Sequence, residues 1–240
     1  MKFALIGYGK MGKTIEQVIL EQNKNVEVVL RIGEENLTDL TIANLQQADV
    51  AIEFTRPDAA IGNINLCLEA GVPVVVGTTG WLHQLPEVAQ NCTSKNGALF
   101  YSPNYSIGVN IFFEINRRLA LLMNKQPQYE VQIEEIHHTE KLDAPSGTAI
   151  RVAELILAEL NAKSNWQLNE INSPDELLIS ARREPNVPGT HCVTYSSPVD
   201  EIKLIHQANN RRGFAEGAVL AARWLVGKKG VFEMKDLLDL

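Results

Sequence analysis

The 240-residue chain is poor in cysteine, carries no excess of positive charge and has no long apolar run. Cys67, Cys92 and Cys192 are odd in number, widely spaced and without metal-type pairing, which excludes a disulfide scaffold and suits a reducing compartment. Each thiol is expected to be a small buried hydrophobe, and no metal centre is expected. A net charge of −7 and a pI near 5.3 argue against a nucleic-acid partner or a membrane surface recognised by bulk electrostatics, so an anionic substrate would need a local basic site. No apolar stretch approaches the length of a membrane span, and Met1 leads directly into a strand, so a cytoplasmic protein is expected. Repeats, low-complexity tracts and linkers are lacking too. What remains is ordinary globular composition, 45% hydrophobic and 21% charged, in a chain long enough for one large or two modest domains.

The chain begins with a short apolar strand, Lys2 to Ile6, then Gly7-Tyr8-Gly9-Lys10-Met11-Gly12, then a helical pattern at Ile15, Val18 and Ile19. Strand, Gly-x-Gly-x-x-Gly and helix in that order form a dinucleotide-binding signature. Gly7 makes the tight turn, Gly9 lets the backbone approach a pyrophosphate, and Gly12 lets helix meet strand. A second strand, Val26 to Leu30, ends in Arg31-Ile32-Gly33 rather than in the acid that would bind a ribose 2′-hydroxyl. Arg31 can pair with a 2′-phosphate, while Glu34 and Glu35 either serve the ribose or are solvated, so NADPH, NADH or both remain open. Strands follow at Asp49 to Thr55, Val72 to Val76 and Ala98 to Tyr101, with a helix over roughly Asp58 to Ala70. In Gly77-Thr78-Thr79-Gly80, two glycines flank two hydroxyls at a strand's C-terminal end and allow close approach to a nicotinamide ribose.

The alternation then breaks. Ile107 to Leu122 reads as a helix with Ile111, Ile115, Leu119 and Leu122 on one side, and Tyr129 to Ile136 as a strand exposed on one face. Further strands are expected at Leu177 to Ala181, His191 to Ser196 and Glu201 to Gln207, the first two joined by a loop from Arg182 to Thr190. The result is an α/β chain: a Rossmann-type dinucleotide-binding domain and a second α+β domain with a mixed sheet, whose open face or edge needs covering.

The densest chemistry lies in His137-His138-Thr139-Glu140-Lys141-Leu142-Asp143-Ala144-Pro145-Ser146-Gly147-Thr148-Ala149. Asp143 to Ser146 reads as a turn, and from Thr148 the apolar residues have helical spacing, so a helix begins near Ser146 or Gly147. Its unpaired N–H groups, with Gly147 and Thr148 offering little bulk, suit a carboxylate or phosphate. His137, His138 and Lys141 supply positive charge and movable protons just upstream. The same residues would also suit a solvated loop with an ordinary cap; the nucleotide signature at the other end of the chain favours catalysis.

Read as Glu135-Ile136-His137-His138-x-x-Lys141-x-Asp143-Ala144-Pro145-Ser146-Gly147-Thr148-Ala149, this stretch closely resembles the signature of the 4-hydroxy-tetrahydrodipicolinate reductase (dihydrodipicolinate reductase) family of the diaminopimelate route to lysine. The Gly-x-Gly-x-x-Gly, Phe54-Thr55-x-Pro57, Gly-Thr-Thr-Gly and Ser102-Pro103-Asn104-Tyr105 segments resemble the same family in order. The resemblance implies reduction, with NADPH, NADH or both, of a small cyclic dicarboxylate after loss of water. It implies Lys141 as general acid and His137 as its partner, with His138, Gly147, Thr148 and an arginine before the last long helix, Arg211, holding carboxylates. For the cofactor it implies Gly7, Gly9, Lys10, Met11, Gly12, Phe54, Gly77, Thr78, Thr79, Ser102, Pro103, Asn104 and Tyr105, to which Arg31 is added on its own chemistry. It also implies a discontinuous dinucleotide domain, 1–104 with 213–240, around a substrate and oligomerisation domain, 105–212, and a homotetramer. Family members carry an acid, often followed by a base, near Arg31, so the cofactor preference stays open. Two rivals share the first domain: another two-domain NAD(P)-dependent dehydrogenase, such as one for aspartate, and a non-catalytic NAD(P)-binding sensor. Neither needs His-His-x-x-Lys before a helix N-terminus.

Overall fold

The computed structural model describes residues 1–22 and 25–240. The chain forms two compact units, one from Met1–Ile107 with Arg212–Leu240 and the other from Gly108–Arg211. In chain order the first unit contains β1 (Lys2–Ile6), α1 (Lys10–Gln22), β2 (Glu27–Ile32), α2 (Ile42–Leu45), β3 (Val50–Glu53), α3 (Pro57–Ala70), β4 (Val74–Val76), α4 (Leu85–Ser94) and β5 (Ala98–Tyr101). Next come α5 (Ile107–Met123), β6 (Glu130–His137), α6 (Gly147–Glu159), β7 (Asn165–Leu168), β8 (Glu176–Arg183), β9 (Thr190–Ser196) and β10 (Glu201–Gln207). The chain returns to the first unit with α7 (Arg212–Leu225), β11 (Gly230–Phe232) and α8 (Met234–Leu238).

The first sheet runs β11-β5-β4-β3-β1-β2, with parallel pairing throughout. Its strands are apolar on both faces, as a sheet covered by helices on both sides requires. Ile15, Val18, Ile19, Ala218, Val219 and Leu225 of α1 and α7 pack on one face; Ile64, Leu68, Val88 and Cys92 of α3 and α4 pack on the other. The order reverses between β1 and β3, so a crevice opens beyond their carboxyl ends, where doubly wound sheets bind ligands. This is the Rossmann-type architecture expected from the sequence. The sequence reading does not foresee strand β11: three residues, the first of them glycine, are too short for periodicity to register.

The second unit has a mixed sheet, β10-β9-β6-β8-β7, in which β6 pairs parallel with β8 and antiparallel with β9. One face packs against α5 and α6 through Phe112, Ala120, Val152, Ile156, Ile133, Ile179 and Val193. The sequence reading does not foresee β7, a four-residue edge strand, and two further details depart from it. The buried row of α5 is Val109, Phe112, Asn116, Ala120 and Met123, while Ile111, Ile115 and Leu122 are exposed; the helix carries two apolar rows, and the spacing alone does not say which one meets the sheet. Strand β8 also runs two residues past Ala181, because His137 at the end of β6 pairs with Arg183.

Candidate active site

In the first unit, Gly7 has φ +95° and its N–H bonds to the Ile32 carbonyl at 2.9 Å. A Cβ there would run into the Phe54 carbonyl, so glycine alone lets the β1 turn pass the end of β3. A Cβ at Gly12 would lie 2.5 Å from the Gly7 carbonyl oxygen, whereas one at Gly9 would meet nothing within 4 Å. Gly9 thus leaves open backbone at the start of α1, the shape a pyrophosphate needs, and Lys10 is exposed beside it with Met11 half-buried. A dinucleotide therefore fits the residues present.

The neighbouring loops are tied together. Thr78, buried, accepts the Thr55 N–H at 2.7 Å, and Trp81 Nε1 donates to the Thr78 carbonyl at 2.8 Å. The Phe54 ring lies where a Cβ on Gly77 would have to go. Thr79 is exposed. Glu53, missed by the sequence reading, is fully buried and bonded to Thr55 and Asn63; burial pushes its carboxyl above the ordinary range. Ser102 is buried and bridges the Asn104 backbone through its hydroxyl, donating to the carbonyl at 2.8 Å and accepting the N–H at 3.1 Å, with Pro103 exposed between them. Tyr105 stands differently from the others: it is 2% exposed and donates to the Val76 carbonyl at 2.7 Å. Its side chain shapes the core beneath the loops. Arg31 is exposed and paired to Glu16 through Nε at 2.9 Å, with Nη1 on the Val28 carbonyl at 2.8 Å.

In the second unit, α6 starts at Gly147 with Ser146 as its cap, the Ser146 hydroxyl accepting the Ala149 N–H at 3.2 Å. Gly147 is exposed, and a Cβ on it would meet nothing within 4 Å. The N–H groups of Gly147 and Thr148 thus point from an open first turn, which favours an anion. His138 accepts a bond from Arg211 at 3.1 Å through Nε2. Arginine can only donate, so the His138 proton sits on Nδ1. Lys141 Nζ makes two 2.7 Å bonds to the Asp143 carboxylate, which it holds below the ordinary carboxyl range.

His137 is buried, and among the described residues no hydrogen bond joins it to Lys141. Its Nδ1 lies 3.2 Å from Oε2 of Glu135, a fully buried carboxylate at the end of β6. Glu135 Oε1 accepts from the Ser146 N–H at 3.1 Å and from Arg183 Nη2 at 3.3 Å. Burial alone would raise this carboxyl, but the nearby His137 and the bond from Ser146 outweigh it and hold it down to about 2. His191, opposite Glu135 on β9, has Nε2 3.1 Å from the Ser146 hydroxyl. Burial, then the nearby His137, depress His191 to about 3, so it is neutral. Glu135, His137 and His191 could together turn three donor atoms toward a cation, but Arg183 already balances the carboxylate. The sequence signal for Glu135 was an acid in phase with Val131 and Ile133 on the buried side of a strand; Arg183 carried none, having been placed in a loop.

The family described as Dihydrodipicolinate reductase, N-terminus, matches residues 1–105, and its counterpart described as Dihydrodipicolinate reductase, C-terminus, matches residues 108–238. The chain is 46% identical over 243 residues to the 4-hydroxy-tetrahydrodipicolinate reductase of Christiangramia forsetii, covering all of this chain and 98% of that protein. It is 35% identical over 242 residues to the protein of the same description from Methanosarcina mazei, covering 99% of this chain and 89% of that one. Among solved structures, a dipicolinate-bound dihydrodipicolinate reductase from Paenisporosarcina superposes with a TM-score of 0.79 at 23% identity, covering 98% of both chains.

Proposed function

The chain belongs to the dihydrodipicolinate reductase family and is an NAD(P)H-dependent oxidoreductase, and from that premise we propose how its residues divide the work. The reaction is reduction of 4-hydroxy-tetrahydrodipicolinate to tetrahydrodipicolinate, with loss of water. A bound NADPH or NADH supplies the hydride.

The first unit holds the cofactor at Gly7, Gly9, Lys10, Met11 and Gly12, with Gly77, Thr78, Thr79 and the Ser102 to Asn104 backbone flanking the nicotinamide end. Phe54 and Tyr105 act from beneath as packing, and Arg31 faces the adenosine ribose. The second unit holds a dicarboxylate. Its N-terminal turn of α6, at Gly147 and Thr148, takes one carboxylate; His138 and Arg211 take the other. Lys141 is the general acid, giving a proton to the ring that gains the hydride, and His137 returns a proton to it. The Asp143 carboxylate keeps the Lys141 ammonium in place until an anionic substrate competes for it.

The observation that carries this reading is the connection from β6 to α6, which sets Lys141, His138 with its Arg211 partner at 3.1 Å, and an open helix N-terminus on one short segment. Neither the rival dehydrogenase nor a sensor has a use for that combination. No described helix is long and apolar enough to cross a membrane; a cytoplasmic homotetramer is part of the same proposal. Support for an assembly comes from edge strand β10, where Ile202 and Ile205 are 39% and 61% exposed.

Calorimetric titration of the NADH-loaded protein with pyridine-2,6-dicarboxylate tests the assignment. Lys141→Ala and Arg211→Ala should each weaken binding about 10- to 100-fold, the worth of a charged hydrogen bond. Wild-type affinity in both variants would remove the connection from the substrate site.

A further inference from the structure

Glu135 takes no part in the reaction as assigned above, yet its placement is costly. It lies on the core face of β6 in line with Val131 and Ile133, and it is fully buried. An ionised carboxylate survives there only if its oxygens are satisfied. Oε1 is satisfied by the Ser146 N–H and by Arg183. Oε2 has no aligned hydrogen bond, and neither has His137 Nδ1, although both atoms are buried and 3.2 Å apart. A proton on His137 Nδ1 shared with Oε2 resolves both orphans at once.

His191 is poorly placed to take that role. Its Nε2 is 3.8 Å from Oε2 but 3.1 Å from the Ser146 hydroxyl. That hydroxyl, which accepts the Ala149 N–H, is the nearer hydrogen-bond partner of the neutral imidazole. His191 therefore orients Ser146, and Oε2 is left to His137. The other donors of Arg183 reach the carbonyls of Asp143 at 2.7 Å and Lys141 at 3.4 Å. One carboxylate thus ties the first turn of α6, the His137 ring and, through Arg183, the backbone that carries Lys141.

We propose that Glu135 is the positioning residue of this site, holding His137 as the Nδ1-protonated tautomer so that Nε2, beside Gly189, is the nitrogen that exchanges protons. The inference rests on the reading of the second unit as the substrate-holding and proton-delivering one. Glu135 touches no substrate; it acts through His137 and the helix start. This is the relation by which an outer carboxylate fixes the tautomer and orientation of a working histidine.

Glu135→Gln separates this role from that of a mere structural strut. The amide has the shape of the carboxylate, and its carbonyl oxygen must turn to the donors Ser146 N–H and Arg183. Its NH2 then faces His137 Nδ1, turning that nitrogen into an acceptor and moving the proton to Nε2.

The test is solid-state NMR of protein labelled with 15N-histidine, wild type and Glu135→Gln, with His137 assigned from a His137→Gln spectrum, alongside steady-state kinetics. The wild type should show Nδ1 protonated and the variant Nε2 protonated. The kcat of the variant should fall about 100-fold, the worth of placed acid-base help, with KM for the nicotinamide cofactor unchanged. A wild-type His137 protonated on Nε2 overturns the proposal, and that observation needs no variant to fold. So does a Glu135→Gln protein with wild-type kcat. Wild-type protein that does not reduce 4-hydroxy-tetrahydrodipicolinate at all would instead overturn the functional reading, with the tautomer still reporting on Glu135.

Discussion

Protonating His191 should unfold the second unit from within, and the size of the effect follows from its surroundings. The imidazole is 5% exposed, and burial together with His137 lowers it from its ordinary 6.5 to about 3. Between those values the unfolded chain binds a proton that the folded one refuses. Stability is therefore fully present above pH 6.5 and is lost as pH falls through the window toward pH 3. At about 1.4 kcal/mol per pH unit for one proton, the whole window corresponds to about 5 kcal/mol, a large part of an ordinary domain's stability. Glu135 has the same sign over a more acidic window: its folded value of about 2 lies below the ordinary 4.5, so its contribution is present above pH 4.5 and is lost toward pH 2. Urea unfolding at half-unit steps from pH 7.5 to 4.5, followed by circular dichroism, should give a free energy that falls by about 1.4 kcal/mol per pH unit near pH 5.5 on account of His191. His191→Gln keeps a polar atom near Nε2 but does not titrate, so its curve should be flatter by about one proton. Parallel wild-type and variant curves would refute the reasoning.

Gly189→Ala would place a Cβ 3.0 Å from His137 Nε2 and 3.2 Å from Cδ2, so the ring must shift by a few tenths of an ångström; with its alignment to Glu135 disturbed, kcat should drop about 10-fold, with cofactor KM unchanged in the same assay. Gly7→Ala combines a φ of +95° with a clash against the Phe54 carbonyl; thermal denaturation should show a loss of about 2–4 kcal/mol in the first unit, and fluorescence titration should show NADPH binding weakened about 10-fold or more. Arg31→Ala removes the cation proposed to meet the adenosine ribose; the ratio of kcat/KM for NADPH over NADH should fall about 10-fold, and an unchanged ratio would mean that the guanidinium is spent on Glu16.

The parts legible in the sequence were those with local causes. A glycine that must adopt positive φ, a serine that caps the helix it precedes and a switch from period two to period 3.6 each announce themselves within a few residues, and they carried the β1 turn and the β6 to α6 connection. The supporting shell was not legible, because strand register assembles it. Glu135 meets His191 only through the antiparallel pairing of β6 with β9, and His137 meets Arg183 only through the parallel pairing of β6 with β8. Those partners lie 56 and 46 residues apart in the chain, separations at which a single sequence carries no pairing signal. Tyr105 shows the reverse case: a motif names it with the cofactor loop, and the fold turns its ring into the core.

The most direct test of the account is the oxidation of NADH and NADPH, followed by absorbance, when freshly generated 4-hydroxy-tetrahydrodipicolinate is added to the wild-type protein and to Lys141→Ala. The account predicts turnover by the wild type with at least one cofactor, and a kcat lowered about 100-fold or more in the variant, with cofactor KM unchanged. Turnover that survives the loss of Lys141 undiminished would contradict the assignment of the proton donor, and no turnover by a wild type that still binds the cofactor would contradict the reaction itself.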